Sequence, residues 1–320
     1  MKFSRCFLSM AAIASVVFAA ACSRQTMPAV PQQTQSVQQS ATLPSPGNMP
    51  PLAFVSDNAA NAFYIFNLKT LQQVGTNTNV CKPQGLGSDA NGTLYENDLC
   101  TQTIQIFAPP YTGKPTATLN DKNYFGYGVS LDKRGNVYVA NNQSAQHGPG
   151  NIAFFDAKKH FRILTRGGPF FFSGVAVDSQ GRIWVAGTDF FKTPMTGYFQ
   201  TLTSGFSNVY LPIATPGAIA FDNHGNLVVD DQTGAENRGS ELLVFPPGQT
   251  KPSARFPLQT DGSDLPYFAF NSGFTKIVVP DLTTGKVYLY AYPSGKLLGT
   301  FKSNQVKAGL GAAVVPAPGL

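Results

Sequence analysis

From residue 52 onward the 320-residue chain copies itself about every 45 residues, and self-similarity at that period restricts the fold to repeat architectures. The clearest copies are Gly85-Leu-Gly-Ser-Asp89-Ala-Asn-Gly92-Thr-Leu-Tyr-Glu, Gly128-Val-Ser-Leu-Asp132-Lys-Arg-Gly135-Asn-Val-Tyr-Val, Gly174-Val-Ala-Val-Asp178-Ser-Gln-Gly181-Arg-Ile-Trp-Val and Ala218-Ile-Ala-Phe-Asp222-Asn-His-Gly225-Asn-Leu-Val-Val. A weaker copy, Phe268-Ala-Phe-Asn271-Ser-Gly273, resumes at Lys276-Ile-Val-Val after an insertion. The turn glycines 92, 135, 181, 225 and 273 lie 43, 46, 44 and 48 residues apart. In each copy a short apolar strand runs into Asp, whose side chain can cap the turn backbone. The Gly three residues on accepts a positive φ before a second β-branched and aromatic strand. The unit is a tight hairpin.

Third strands are predicted at Thr103 to Phe107, Asn151 to Phe155, Gly197 to Leu202, Glu241 to Phe245 and Lys286 to Tyr292, with more polar fourth strands around Ala117, Arg162, Asn208, Ala254 and Leu297. Four antiparallel strands per repeat make one blade of a β-propeller. The ends set the blade count. The chain begins its strands at Leu52-Ala-Phe-Val-Ser-Asp57, which aligns with a second strand, while Gly309-Leu-Gly-Ala-Ala313-Val-Val copies a first strand and is followed by no other. The expected fold is therefore an all-β, six-bladed propeller over residues 52–320, closed by pairing the C-terminal strand (309–316) with the N-terminal blade, which leaves no open sheet edge. Composition agrees. Only 12% of residues are charged, against 31 Gly, 24 Pro and 38 aromatic residues, which argues against an α-helical or doubly wound α/β enzyme.

The units resemble the NHL and gluconolactonase-like six-bladed propellers, whose repeats read Gly-Asn-Ile-Tyr-Val-Ala-Asp, echoed here by Gly135-Asn-Val-Tyr-Val-Ala-Asn141. The resemblance covers residues 52 to 316 and speaks to fold, because this scaffold carries hydrolases, lyases and pure binding proteins alike. Loops before each first strand and after each second strand gather at one rim, the usual ligand side of the fold. Position six after each turn glycine falls there and reads Asp98, Asn141, Gly187 and Asp231, with Asp281 and Ser56 or Asp57 by alignment. Such a ring can hold a hard cation such as Ca²⁺ through oxygen ligands. The resemblance implies a structural use instead, with Asp bonding the loop backbone of its own blade.

Catalytic constellations are sparse. By repeat phase His160 and His224 fall on the opposite face, leaving His147 alone at the rim, so the paired His of a streptogramin-type lyase is missing. Of three Glu (Glu96, Glu236, Glu241) only Glu96 is in phase with the rim, and the Glu that gluconolactonase-like hydrolases place at the start of the first blade is not seen. Gly85-x-Gly87 and Gly309-x-Gly311 open strands rather than helices, so neither cradles a nucleotide phosphate. No cofactor is expected, Ca²⁺ or another divalent cation being the alternative. Phe170 to Phe172 and the pair Phe190-Phe191 bracket the first two strands of blade 4, where packing between blades or an apolar groove can absorb them.

Ahead of the repeats, Lys2 and Arg5 precede sixteen uncharged residues, Cys6 to Ala21, too few to span a bilayer and patterned as a secretory signal (1–21). The segment Phe18-Ala-Ala-Ala21-Cys22-Ser23 resembles the lipobox of bacterial lipoproteins, which implies a diacylated Cys22 and, with Ser rather than Asp following, an outer-membrane destination; a periplasmic or secreted protein is the alternative. Residues 23–51 hold six Gln, six Pro and no aromatic or acidic residue, and 22–51 is read as a disordered tether. Cys81 and Cys100 remain. They flank a hairpin turning near Ala90 and Asn91, roughly opposite each other, and are expected to form a disulfide. Once Lys2, Arg5 and Arg24 are set aside, 20 basic and 17 acidic residues leave the body at +3, too dilute for nucleic acid. Partners are expected to be the membrane, through the anchor, and an envelope protein or glycan. The leading reading is a non-catalytic binding or scaffold module at the cell envelope. The alternative is a metal-dependent lactonase using Glu96, Asp98, Asn141, Asp231 and Asp281.

Overall fold

The computed structural model describes residues 50–121, 123–168, 170–233, 239–260 and 267–318. The leader, Cys22, the tether up to residue 49 and Glu236 lie outside the described residues.

Six four-stranded antiparallel sheets account for every strand. Blade 2 is β4 (Pro83–Ser88), β5 (Leu94–Asp98), β6 (Thr103–Phe107) and β7 (Ala117–Asn120), and blade 3 is β8 (Tyr124–Leu131), β9 (Val137–Ser144), β10 (Pro149–Phe155) and β11 (Phe161–Leu164). Blade 4 is β12 (Phe170–Val177), β13 (Ile183–Asp189), β14 (Pro194–Phe199) and β15 (Phe206–Asn208). Blade 5 is β16 (Pro216–Phe221), β17 (Leu227–Asp231), β18 (Glu241–Phe245) and β19 (Ala254–Pro257). Blade 6 is β20 (Ala269–Phe270), β21 (Lys276–Pro280), β22 (Val287–Ala291) and β23 (Leu297–Thr300). Blade 1 unites β1 (Leu52–Asp57), β2 (Ala62–Asn67) and β3 (Gln73–Asn77) with the C-terminal β24 (Gly309–Val315). The fold is the six-bladed β-propeller that the repeats predict. Its closure is also as expected, with Leu52 opposite Val315 and Asp57 opposite Gly309.

Inner strands are buried on both faces, so β1, β24 and β17 read as continuous apolar runs instead of alternating, whereas outer strands such as β7 alternate. The core is correspondingly divided into six clusters, one per blade interface. Between blades 1 and 2, for instance, Phe54 meets Tyr111 at 4.8 Å and Phe63 meets Phe107 at 5.1 Å, both edge-on. Each such pair adds about 0.5–1.5 kcal/mol to its area burial.

The first hairpin turn is built by one side chain. Asp132 Oδ1 accepts from the amides of Arg134 (2.9 Å) and Asn136 (3.0 Å), and Asp89, Asp178 and Asp222 repeat the arrangement. Gly135 then takes φ +77°, as do Gly92, Gly181 and Gly225 at similar values. Blade 6 differs: its loop is one residue longer, Asn271 N–H bonding Lys276 O, and Phe274 rather than Gly273 adopts the positive φ. Phe274 stands three residues after Asn271, as Gly135 does after Asp132, so the left-handed position keeps its place and the extra residue follows it.

Cys81 and Cys100 are joined, their Cα atoms 5.6 Å apart. A bulge between Pro83 and Leu86 shifts the β4–β5 register by one residue, and that shift brings the two cysteines opposite each other.

Candidate functional site

The rim residues sit where repeat phase places them, at or next to the ends of β1, β5, β17 and β21 and within β9; the carboxylate oxygens of Asp57, Asp98, Asp231 and Asp281 are occupied, whereas Oδ1 of Asn141 is buried without a partner. Asp98 Oδ1 accepts from Thr101 N and Oγ1 (both 2.9 Å), and Oδ2 accepts from Cys81 N (2.6 Å) and Gln105 Nε2 (2.8 Å). Asp231 accepts from Ala214 N and Thr215 N, each at 2.9 Å. Asp281 holds Thr283 N, Thr284 N and Thr284 Oγ1, and Asp57 holds Ala60 N and Lys307 N. Each carboxylate therefore staples loop backbone, and Asp57, Asp98 and Asp231 tie the loop after the second strand to the loop before the first. Among the described residues no three His, Cys, Asp or Glu side chains converge on a point where an ion would bind. Glu96, Asp98 and Asn141 lie in neighbouring blades 2 and 3, while Asp231 and Asp281 lie in blades 5 and 6.

Asn141 stands where other blades carry Asp and works through a neighbour. Its Nδ2 donates to Asp121 Oδ1 (3.1 Å) and Asn151 Oδ1 (2.8 Å), all three side chains being buried. Burial pushes the Asp121 carboxyl up to about 8, the Asn141 bond pulling the other way. Sequence reasoning passes over Asp121 because it lies in a non-periodic connection.

Glu96 is the departure from the repeat. The matching positions are Val55, Val139, Val185, Val229 and Val279, and all six side chains are fully buried. Neither Glu96 oxygen has a hydrogen-bond partner, nor does Oε1 of Gln105, which pairs with Glu96 across β5 and β6. Burial, and secondarily Asp98, hold the Glu96 carboxyl well above the usual carboxylate range.

The axis is occupied near the rim by Tyr267, whose fully buried hydroxyl is pushed above the usual phenol range by burial and then by Tyr127 and Asp230. Towards the turn face the inner strands line an open recess of about 160 Å³ bordered by Leu86, Leu131, Phe221, Phe268 and Ala312. A larger groove, about 840 Å³, opens on that same face over blades 3 to 5. Trp184 and Tyr198 stack there at 5.0 Å, Phe221 meets Trp184 at 6.0 Å, and Arg182 lies over both stacked rings, held by Asp178 at 2.5 Å. Trp184 Nε1 donates to the same Asp178 oxygen. This groove mixes aromatic faces with fixed polar groups, the usual make-up of a small-ligand site. Repeat phase gives no sign of it, because it forms between blades.

His147 lies in the β9–β10 connection at the rim, while His160 pairs with Asp156 (2.8 Å) and His224 lies beside Asp222 on the turn face. Of Phe170 to Phe172 and Phe190-Phe191, Phe172 is buried between blades, Phe170 and Phe171 are half-buried, and Phe190 and Phe191 face solvent.

No protein-family model matches the chain, and no curated protein matches it in sequence. Solved structures do match in shape. A chain of a nidogen/laminin complex superposes with a TM-score of 0.65 at 16% identity, over 84% of this chain and 99% of that one. A protein of unknown function from Bacteroides caccae gives 0.64 at 12% identity, over 83% and 99%. Virginiamycin B lyase from Staphylococcus aureus gives 0.52 at 12% identity, over 78% and 80%. At these identities the likeness establishes the six-bladed propeller fold and nothing finer.

Proposed function

We propose that the chain is an exported, lipid-anchored propeller of NHL-like type that serves at the cell envelope as a non-catalytic binding or scaffold module for a protein or glycan. The observation that carries this reading is the use of the rim acids: Asp57, Asp98, Asp231 and Asp281 direct their oxygens to backbone amides and hydroxyls of their own loops. The aromatic and polar groove over blades 3 to 5 supports it by offering a recess of ligand size. The leader and the lipobox-like Cys22 support export and anchoring.

Trp184 is the only tryptophan of the chain, so its emission reports the groove directly. Titration with solubilised envelope fractions is expected to give a saturable change in that emission, lost in Tyr198→Ala. No change with any fraction would count against binding there.

A metal-dependent lactonase is the second reading, favoured by Glu96, a fully buried carboxyl with both oxygens unpartnered. Co-purified divalent metal, lost with lactone hydrolysis in Asp231→Ala and Glu96→Gln, would establish it over the first.

A further inference from the structure

Six large apolar side chains are exposed among the described residues, and the three most exposed are Phe190 (67%), Phe191 (82%) and Tyr210 (85%). All three belong to two rim loops of blade 4: Phe190 and Phe191 to the β13–β14 connection, Tyr210 to the segment after β15. Phe171, Phe190 and Phe191 form a connected ridge, Phe171 to Phe190 at 6.5 Å and Phe190 to Phe191 at 5.8 Å.

The ridge is rigidly presented. Asp189 Oδ1 accepts from Phe191 N (2.8 Å) and Thr193 N (2.7 Å), and Lys192 takes φ +63°, the left-handed position that glycine fills in the repeat turns. This is the same Asp-built turn that elsewhere reverses the chain economically, but here its two exposed positions are both phenylalanine. Solvent offers nothing to two such rings, so the display calls for a surface that covers them.

The charges around the ridge identify that surface. Lys192 is at the tip. Arg166 lies 3.7 Å over the Phe170 ring and 5.1 Å from Phe206, donates to Asn208 Oδ1 at 2.7 Å, and sits within electrostatic range of Tyr210 and Asp189. The acid of the tip, Asp189, has its Oδ1 engaged by the turn amides. Aromatic rings flanked by Lys and Arg are what the interface of an anionic bilayer accepts, rings at headgroup depth and cations on the phosphates.

We propose that this sector of the rim docks on an anionic phospholipid surface, Phe190 and Phe191 entering the headgroup layer with Arg166 and Lys192 against lipid phosphate. Chain length permits it alongside an anchor: the thirty residues from Cys22 to Leu52 reach up to roughly 100 Å when extended. Docking does not depend on acylation, and the test keeps the two apart.

The mature chain carrying Cys22→Ser, which cannot be acylated, is sedimented with vesicles of phosphatidylcholine and phosphatidylglycerol (7:3) and with phosphatidylcholine alone. Binding is expected only to the anionic vesicles, reduced by high salt, and at least about tenfold weaker in Phe190→Ser/Phe191→Ser. Lys192→Glu, which leaves the rings in place, is expected to weaken binding severalfold with an unchanged melting temperature. Failure to bind anionic vesicles, or binding that the double substitution leaves unchanged, overturns the proposal. So does a concentration-dependent dimer that the double substitution abolishes in the absence of vesicle binding, because the ridge then meets a second copy. Whether the wild-type protein carries an acyl mass is read separately and bears only on Cys22.

Discussion

The hydroxyl of Tyr267, at the start of blade 6, donates a 2.7 Å hydrogen bond to the carbonyl oxygen of Ser173 in blade 4, so one side chain spans the axis past blade 5. The Ser173 hydroxyl meanwhile donates to Pro216 O at 2.8 Å, in blade 5. Three blades are thereby linked at the centre of the ring by two residues.

Tyr267→Ala is expected to lower stability by roughly 3–5 kcal/mol, the range for emptying a buried aromatic site. Tyr267→Phe keeps the ring and removes one hydrogen bond, and is expected to lower it by about 1 kcal/mol. Urea unfolding distinguishes them. An Ala variant as stable as the wild type would mean that the ring does not fill the axis.

Glu96→Val installs the residue that the other five blades carry at this position. Because burial raises the Glu96 pKa above 4.5, the folded chain holds this proton more tightly than the unfolded chain does. The contribution of Glu96 is complete below about pH 4.5 and diminishes as the pH rises. The variant is therefore expected to melt higher than wild type, by a margin that widens with pH. A margin that stays constant from pH 4 to pH 8 would contradict the raised Glu96 carboxyl.

Asp121→Asn tests the second raised carboxyl. Its folded value of about 8 against an ordinary 3.8 makes wild-type stability fall as pH climbs through that window, with the loss concentrated between the two values. The variant, which cannot titrate, is expected to show a flatter melting profile from pH 4 to pH 8. Equal slopes for the two proteins would remove Asp121 as the source.

Cys81→Ser/Cys100→Ser opens a bridge whose ends are 19 residues apart. A loop of that size stabilises by about 3 kcal/mol in the chain-entropy account. The double variant should unfold at correspondingly lower urea with an otherwise similar fold. A loss below about 0.5 kcal/mol would mean that the β4–β5 hairpin holds its register without the bridge.

Blade number, strand order and closure were legible because a propeller writes its geometry into local chemistry. Asp and a left-handed residue at each first turn, apolar strands on both sides and a leftover first strand at the C-terminus each mark the chain at a fixed phase. The rim was legible only as positions. Whether Asp231 faces an ion or the amides of Ala214 and Thr215 depends on the path of the preceding connection, which has no period. Glu96 could be singled out by phase as a rim residue, yet its burial opposite Gln105 with both oxygens unpartnered is visible only in the folded sheet. The Trp184 groove and the Phe190–Phe191 ridge escaped for related reasons. One forms between blades, and the other uses a turn whose backbone chemistry is indistinguishable from that of the repeat turns.

The pairing of β24 with β1 also orders events in time. Among the described strands, those that begin blade 1 are synthesised before the other five blades and the strand that completes it, Gly309–Val315, after them. Until those residues arrive, β1 waits with one side unpaired while five other blades assemble behind it. The ring is thus a late, long-range event with high contact order. A nascent chain stalled or trimmed before residue 309 would hold five complete blades and a three-stranded blade 1 that presents β1 as an adhesive edge. Surveillance by chaperones or proteases needs to detect only that one edge to tell a finished propeller from an unfinished one.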